Sequence, residues 1–556
     1  MISPTSPATA PAASADAPAP PAEASAASTS APGVAGWTEP AHPLWRRLLL
    51  VCAVATALPL WATEHLPFTD LPQHVAAIAA LRHWWDPVWR TQDYFTLALS
   101  QTQYLLYYLV GAVLAVPLGT AERANLVLLS LTAIAFPYSL RALLRALGLD
   151  ERLAFFACVL FWSQALLIGF FNYVAAMPLL LWGLALAVRN AEQPTREGGR
   201  QSRKPALKLA LLAVALFYLH LSAFIFFAPA AALASLLLPR PLDLRARLRE
   251  APRRLLWAAP VVLLGLFWLA YSPVVHPHSV GWDQPVGIQF EEPAQALKNL
   301  TDALLDIWHG SQDEWCLLAL LAAAALLSWP QPRAGEEPAK TWRRGIAAAW
   351  VALAVLLYFA FPNAIGWLWQ LNERYALVFA LLAPLLLRPA RGLRGAAPLL
   401  LVAATALFAA GNSVVQMRSF ESEVGPFDTV LSAALPGKRL FAMMYDQNSR
   451  FAKFSPFLHF GSYYRARAGG VVAFSFAELP QSPFRYRPEN EPPRKPARWE
   501  WGTWRYFNNQ VDGVYYDYVL VHGLVDPFAQ HPSGPAWHVL AQQGSWALYA
   551  KGDPKP

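Results

Sequence analysis

Twelve apolar runs punctuate the chain between residues 48 and 411, and each is long enough, or nearly so, to cross a lipid bilayer. They fall at 48–61, 101–118, 122–140, 153–169, 171–188, 206–220, 222–238, 255–271, 313–329, 345–361, 374–388 and 396–411. The shorter ones need tilt, local thinning or the shelter of neighbours to span. Only 14% of the 556 residues are charged, against about 25% in an ordinary soluble chain. Too few polar groups remain to cover a water-facing surface, which excludes a wholly soluble enzyme. The 48 prolines fit such a chain at helix ends, in loops, or where neighbours satisfy the carbonyls they free.

Loop charges give an expected topology. Arg46 and Arg47 precede the first run and place the N-terminus in the cytoplasm under the positive-inside rule. Arg189, Arg196, Arg200, Arg203, Lys204 and Lys208 crowd one loop, and Arg240, Arg245, Arg247, Arg249, Arg253 and Arg254 another. Arg333, Lys340, Arg343, Arg344, Arg388, Arg391 and Arg394 mark two more cytoplasmic loops. The loops 63–100, 272–312 and 362–373, and the tail from 413, are then extracytoplasmic. One crossing is required between the loop 63–99 and Arg141–Arg152, yet two runs lie there. One of them is expected to be re-entrant or to lie along the membrane face, which leaves about 11–13 transmembrane helices. The expected localisation is a multi-pass protein of a bacterial inner membrane.

The net charge of +8 is spent in these loops and indicates topology, with no nucleic-acid partner. Residues 1–40, nearly all Ala, Pro, Ser and Thr, are expected to form a disordered cytoplasmic tail and not a signal peptide. Cys52, Cys158 and Cys316 lie in apolar runs and form no CxxC pair, so neither a disulfide framework nor a metal site is expected. Residues 41–412 read as the membrane domain. From 413 to 556 charges return and apolar runs shorten. A short helix at Asp428–Leu435 and strands at Arg439–Tyr445, Gly470–Phe476, Tyr516–Val521 and Ser545–Ala550 predict a small α/β domain, with 479–500 as loop.

The loop after the first run holds the most informative stretch. Thr63–Pro72 is a polar, proline-bounded turn, and Gln73–Trp85 reads as an amphipathic interfacial helix carrying Trp84 and Trp85, with Trp89 just beyond. Asp70 sits between the two. It either faces the water–lipid boundary as a chemically available carboxylate or caps the helix behind it. His74, one turn on, can share its face or simply pack. His220 and Asn172 stand where apolar runs begin or end. Polar residues there are functional candidates or turn formers. In the loop 272–312, His276, His278, Asp283, Glu291, Glu292, Trp308 and His309 make a polar, aromatic surface without metal-ligand spacing. We read it as part of a substrate groove. Trp501, Trp504, Tyr506, Tyr515 and Tyr516 either stack on sugar rings or build a small core.

The cytoplasmic start, the early Asp in a first outer loop and the many Leu/Ala spans resemble the GT-C superfamily of membrane glycosyltransferases. So does the small outer C-terminal domain. That superfamily includes protein O-mannosyltransferases, lipid A aminoarabinose transferases and oligosaccharyltransferase catalytic subunits. LPFTDLPQHVAAI at 66–78, GFFNYVAAMPLLL at 169–181, LHLSAF at 219–224 and NERYALVF at 372–379 resemble landmarks of bacterial members of the group. The resemblance implies transfer of a sugar from a polyprenyl-phosphate donor to a glycan, lipid or protein acceptor outside the cytoplasm. Asp70 would be the base, and Arg374 would contact phosphate through its guanidinium. Arg374 could instead snorkel or pair with Glu373. Family members often carry a second acid in the next outer loop, where this chain has Asn172. That departure leaves a metal-assisted version unsupported and leaves Glu64, Asp86 and Asp93 as substitutes. No tightly bound cofactor is expected. Membrane lipids and the lipid-linked donor are the expected partners. The alternative is a lipid or lipid-linked-sugar flippase, which would normally carry acids in mid-span. Here the acids lie in loops and span mouths.

Overall fold

The computed structural model describes residues 36–99, 102–192, 203–238, 244–280, 286–328, 338–528 and 533–552. Most of the expected tail, and Arg196, Arg200, Arg240, Asp283 and Arg333, lie outside them. Among the described residues six helices are long and apolar enough to span a membrane: Pro43–Trp61, Ala121–Ala146, Phe171–Ala191, Arg245–Tyr271, Lys340–Ala360 and Leu393–Val424. Leu106–Leu118, Leu221–Leu237 and Arg374–Leu386 are shorter apolar helices. The chain is a polytopic helical membrane protein with a C-terminal α/β domain.

The two runs that conflicted with the charge topology differ in length. Leu106–Leu118 has 13 residues and ends at Gly119, whereas Ala121–Ala146 has 26. At 1.5 Å per residue the first rises about 20 Å, short of the roughly 30 Å apolar layer. The run 153–169 departs from the expected continuous helix. It divides into helices Phe155–Leu160 and Gln164–Ile168, broken at Trp162–Ser163, and its side chains are buried throughout. Broken backbone at membrane depth is tolerated where protein encloses it, and that burial is why the run looked like a lipid-facing span in the sequence.

The helix Leu71–Arg82, α1, also departs from expectation. Its first ten residues are all buried, so it is not an amphipathic interfacial helix. Gln73, at its start, donates to the Phe474 carbonyl at 3.1 Å and accepts from the Phe476 amide at 3.3 Å. The face expected to meet water is thus covered by the C-terminal domain. Trp85 alone of the three tryptophans is largely exposed, and Trp89 stacks on His83.

The last long helix runs from Leu393 to Val424 without interruption. The change of composition at 413 therefore falls within a helix and not at an element boundary. Beyond it, five strands form one sheet: β1 (Arg439–Met444), β2 (Val471–Val472), β3 (Tyr518–His522), β4 (Trp537–Gln543) and β5 (Trp546–Lys551), in the order β2-β1-β3-β5-β4. β1 runs parallel to β2 and β3, while β5 is antiparallel to β3 and β4. Alternation decides what each face does. Leu440, Ala442, Leu520 and Leu548 join the core of the membrane unit, and Phe441, Met443, Val519 and Ala547 form a separate aromatic core with Trp499 and Phe507. β4 escaped the sequence reading because its side chains are mostly half-buried or exposed.

Two further contacts fix the domain to the first loop. Phe95–Leu97 pairs antiparallel with Phe484–Tyr486, inside the stretch expected to be loop. His65, buried, lies 3.0 Å from Glu421 and 3.2 Å from Asp428, and Arg467 joins Asp428 to Glu122. Burial alone would lower the His65 imidazole, but the hydrogen bonds and charges of Asp428 and Glu421 outweigh it and raise it.

Candidate active site

A cavity of about 1160 Å³ opens between the membrane unit and the C-terminal domain. Asp70, His74, Asn172, His220 and Arg374 all line it. Residues from four separate stretches of sequence are thus brought to one place. Glu373 lines a small neighbouring crevice and accepts from Asn363 at 3.4 Å, not from Arg374. Burial, with Glu291 nearby, pushes its carboxyl up to about 7.

Asp70 immediately precedes α1 but makes no capping bond with its side chain. Its amide donates to the Ile168 carbonyl at 2.9 Å, which holds the loop against the broken run. Gly169, at φ +101°, makes that approach possible: a Cβ there would lie 2.7 Å from the Asp70 Cβ and 2.9 Å from its amide nitrogen. The Asp70 carboxylate, 18% exposed, has Oδ1 3.3 Å from Nε2 of His459. His459 is itself buried and stacks on Phe474. Glu500 completes the acidic side of the cavity. Burial, and the nearby charge of Asp70, hold its carboxyl above the usual range, with His459 acting against them.

His74 is buried, and its Nδ1 lies 2.9 Å from the Tyr108 hydroxyl. Burial pulls its imidazole down to about 4 despite the Asp70 charge, so it is a neutral hydrogen-bonding group at neutral pH. Asn172 is buried with both side-chain polar atoms unpartnered, at the start of Phe171–Ala191. Buried polar atoms left open in a cavity wall are available to a ligand.

Arg374 opens the helix Arg374–Leu382, α2, and is buried. One Nη lies 3.3 Å from His220 Nε2 and 3.4 Å from Ser222 Oγ, the other donates to the Trp369 carbonyl at 3.2 Å, and Nε is unpartnered. The Phe170 ring lies 4.6 Å from the guanidinium carbon. His220 caps the helix Leu221–Leu237 by accepting from the Ser222 amide at 3.2 Å, and its other nitrogen faces Arg374. It is both a turn former and a cavity residue.

Other expectations fare differently. Asp86 pairs with His83 and Asp93 with Arg90, Glu64 is exposed, and none of the three acids lines the cavity. The acids that stand near Asp70 come from the C-terminal domain instead. Of the loop 272–312, Gln289 alone among the described residues reaches the cavity wall. Trp308 is buried, and Glu291 accepts from Asn372 and Asn299. Trp501 lines the cavity, Tyr516 packs in the domain core against Phe441, and Trp504 lies on Tyr445. The sequence reading missed His459, Arg465, Glu478 and Glu500. No local signal marks them, since each acquires its surroundings only when the domain docks. Among the described residues no group of three His, Cys, Asp or Glu is placed to hold a metal ion.

No protein-family model and no curated protein matches the sequence. Likeness is found among solved structures. ArnT from Cupriavidus metallidurans, in the apo state, aligns with a TM-score of 0.52 at 12% identity over 91% of this chain and 97% of that one. Arabinofuranosyltransferase AftD from Mycobacteria aligns at 0.47 and 16% identity, over 92% of this chain and 40% of its own. The Archaeoglobus fulgidus oligosaccharyltransferase aligns at 0.42 and 13%, over 87% and 70%. The near end-to-end match to ArnT carries the conclusion: the chain has the GT-C fold.

Proposed function

We propose that this protein is a membrane glycosyltransferase that moves a sugar from a polyprenyl-phosphate carrier to an acceptor on the extracytoplasmic face. One observation carries the reading. Asp70, whose side chain makes no capping bond and, among the described residues, pairs with no Lys or Arg, faces a large cavity whose wall also holds the buried Arg374. In the reaction the acceptor hydroxyl or amine gives its proton to the Asp70 carboxylate and attacks the anomeric carbon. The bond from that carbon to the phosphate oxygen breaks, and the phosphate leaves with its electron pair. A base on the nucleophile and positive charge at the leaving oxygen are what such a displacement requires. Arg374 supports the second need, with His220 and the Phe170 ring holding its guanidinium in place. His459 orients the base from the opposite domain.

The test is transfer of a radiolabelled sugar from polyprenyl phosphate to membrane or water-soluble acceptors, in vesicles holding the native protein or Asp70→Asn at matched amounts. Transfer by the native protein that is lost in the variant supports the reading. Equal transfer by both removes Asp70 from the chemistry, and no transfer by either with a range of donor sugars turns the reading toward a lipid-linked-sugar flippase.

A further inference from the structure

Arg465 is an arginine without a counter-charge in the wall of the cavity. It lies on the helix Ser462–Ala468, α3, of the C-terminal domain and is 4% exposed. Its Nη1 donates to Ser475 Oγ at 2.6 Å, while Nε and Nη2 have no hydrogen-bond partner. Among the described residues it forms no ion pair, and the groups that act on its charge are the Tyr486 and Tyr108 hydroxyls and no carboxylate. Burial lowers the guanidinium only to about 10, so it stays cationic at neutral pH. A buried charge is costly unless it is paired and hydrogen-bonded.

The rings beside it account for part of this. Phe95 lies 4.4 Å and Phe484 5.3 Å from the guanidinium carbon, one on each strand of the ribbon that ties the first loop to the domain. Rings attract the cation through their faces. They cannot accept the in-plane hydrogens of Nε and Nη2, which form one edge of the fork that binds two oxygens of a phosphate or carboxylate. The geometry leaves an anion-shaped demand unfilled.

Of the arginines that line the cavity, the two that are buried, Arg374 and Arg465, belong to different parts of the protein. Arg374 heads an apolar helix of the membrane unit, where a lipid-borne phosphate arrives. Arg465 belongs to the C-terminal domain, and its helix α3 packs on α1, the helix that follows Asp70. His459, six residues before Arg465, touches the Asp70 carboxylate, so Arg465 is on the side of the base. We propose that Arg465 forms a second anion subsite, which seats a phosphate or carboxylate of the acceptor while the acceptor's nucleophile lies at Asp70. The proposal rests on the transferase reading and narrows it to acceptors that carry an acidic group.

The test is binding, measured on the full-length protein in detergent without any transfer. Inorganic phosphate and a polyprenyl phosphate are titrated separately into native, Arg465→Gln, Arg465→Lys and Arg374→Gln proteins. Each Gln variant should take up one inorganic phosphate fewer than the native protein. Arg465→Gln should still bind polyprenyl phosphate, and Arg374→Gln should not. Arg465→Lys, which keeps the charge and loses the fork, should bind its phosphate about tenfold more weakly, on the order of one charge-assisted hydrogen bond. If Arg465→Gln does not fold, the Lys variant alone decides, and native affinity in it overturns the proposal. Native phosphate stoichiometry in Arg465→Gln overturns it, and so does loss of polyprenyl phosphate there, which would assign Arg465 to the donor. A failed transfer assay would sink the transferase reading and leave the loss of one phosphate in Arg465→Gln standing.

Discussion

His459 Nε2 stands 3.3 Å from Asp70 Oδ1, so a residue of the C-terminal domain touches the carboxylate that the first loop presents. His459 is fixed in turn by the Phe474 ring stacked on it. An imidazole held this way orients a base without touching the reacting atoms. We predict that His459→Gln lowers the transfer rate about tenfold, a tenth or less of what removing a general base costs, with KM unchanged. A change in KM alone, with kcat intact, would make His459 a packing residue.

Asp70→Asn should lose at least about a hundredfold in rate and keep its fold. Because the side chain makes no capping bond, the stability change should stay within about 0.5 kcal/mol. Detergent melting curves beside the transfer assay check both halves. A large drop in melting temperature would return Asp70 to a structural role.

Gly169→Ala should be more damaging than its size suggests. The new Cβ meets the Asp70 backbone and Cβ, and the residue must hold a φ of +101°. Strain of about 1–3 kcal/mol is expected, together with displacement of the carboxylate. The expected outcome is a folded protein with a lower melting temperature and little transfer. Native activity would mean that the position of Asp70 is not what limits the reaction.

Glu478 gives a pH dependence. It lines the cavity and accepts from Trp499 Nε1 at 3.1 Å. Burial pushes its carboxyl from 4.5 up to about 8, despite that bond. A carboxyl raised in the folded state is most favourable when protonated, so its contribution is complete below pH 4.5 and is lost as pH rises through about 8. Glu478→Gln cannot ionise. Its melting temperature should gain on the native protein between pH 5 and 9, as read from paired melts in one buffer series, and parallel curves would refute the assignment.

Much of the site was legible because polarity is conspicuous in so apolar a chain. Asp70, Asn172, His220 and Arg374 each interrupt or border an apolar run, and all four line one cavity. The GT-C likeness rested on the same interruptions and on the order of loops and spans. What could not be read lies in pairings between distant segments. Gln73–Trp85 read as an amphipathic interfacial helix because nothing local says that Phe474 and Tyr108 will satisfy Gln73 and His74. The pairing of Phe95–Leu97 with Phe484–Tyr486 is hidden for the same reason, with a three-residue strand at each end of a long separation. The acids near Asp70 were sought in its own loop, whereas the fold supplies Glu478 and Glu500 from the far end of the chain.

The docking of the C-terminal domain onto the first loop also sets a timetable. Asp70 is made well before its partners, since His459, Arg465 and Glu500 follow it by about 390–430 residues. At about 5–20 residues per second of synthesis, the nascent protein holds its carboxylate for tens of seconds before those partners exist. Throughout that interval the membrane unit has half a wall and no complete cavity. Synthesis itself therefore leaves the cavity unassembled until residues 459–500 have emerged and folded back onto the first loop.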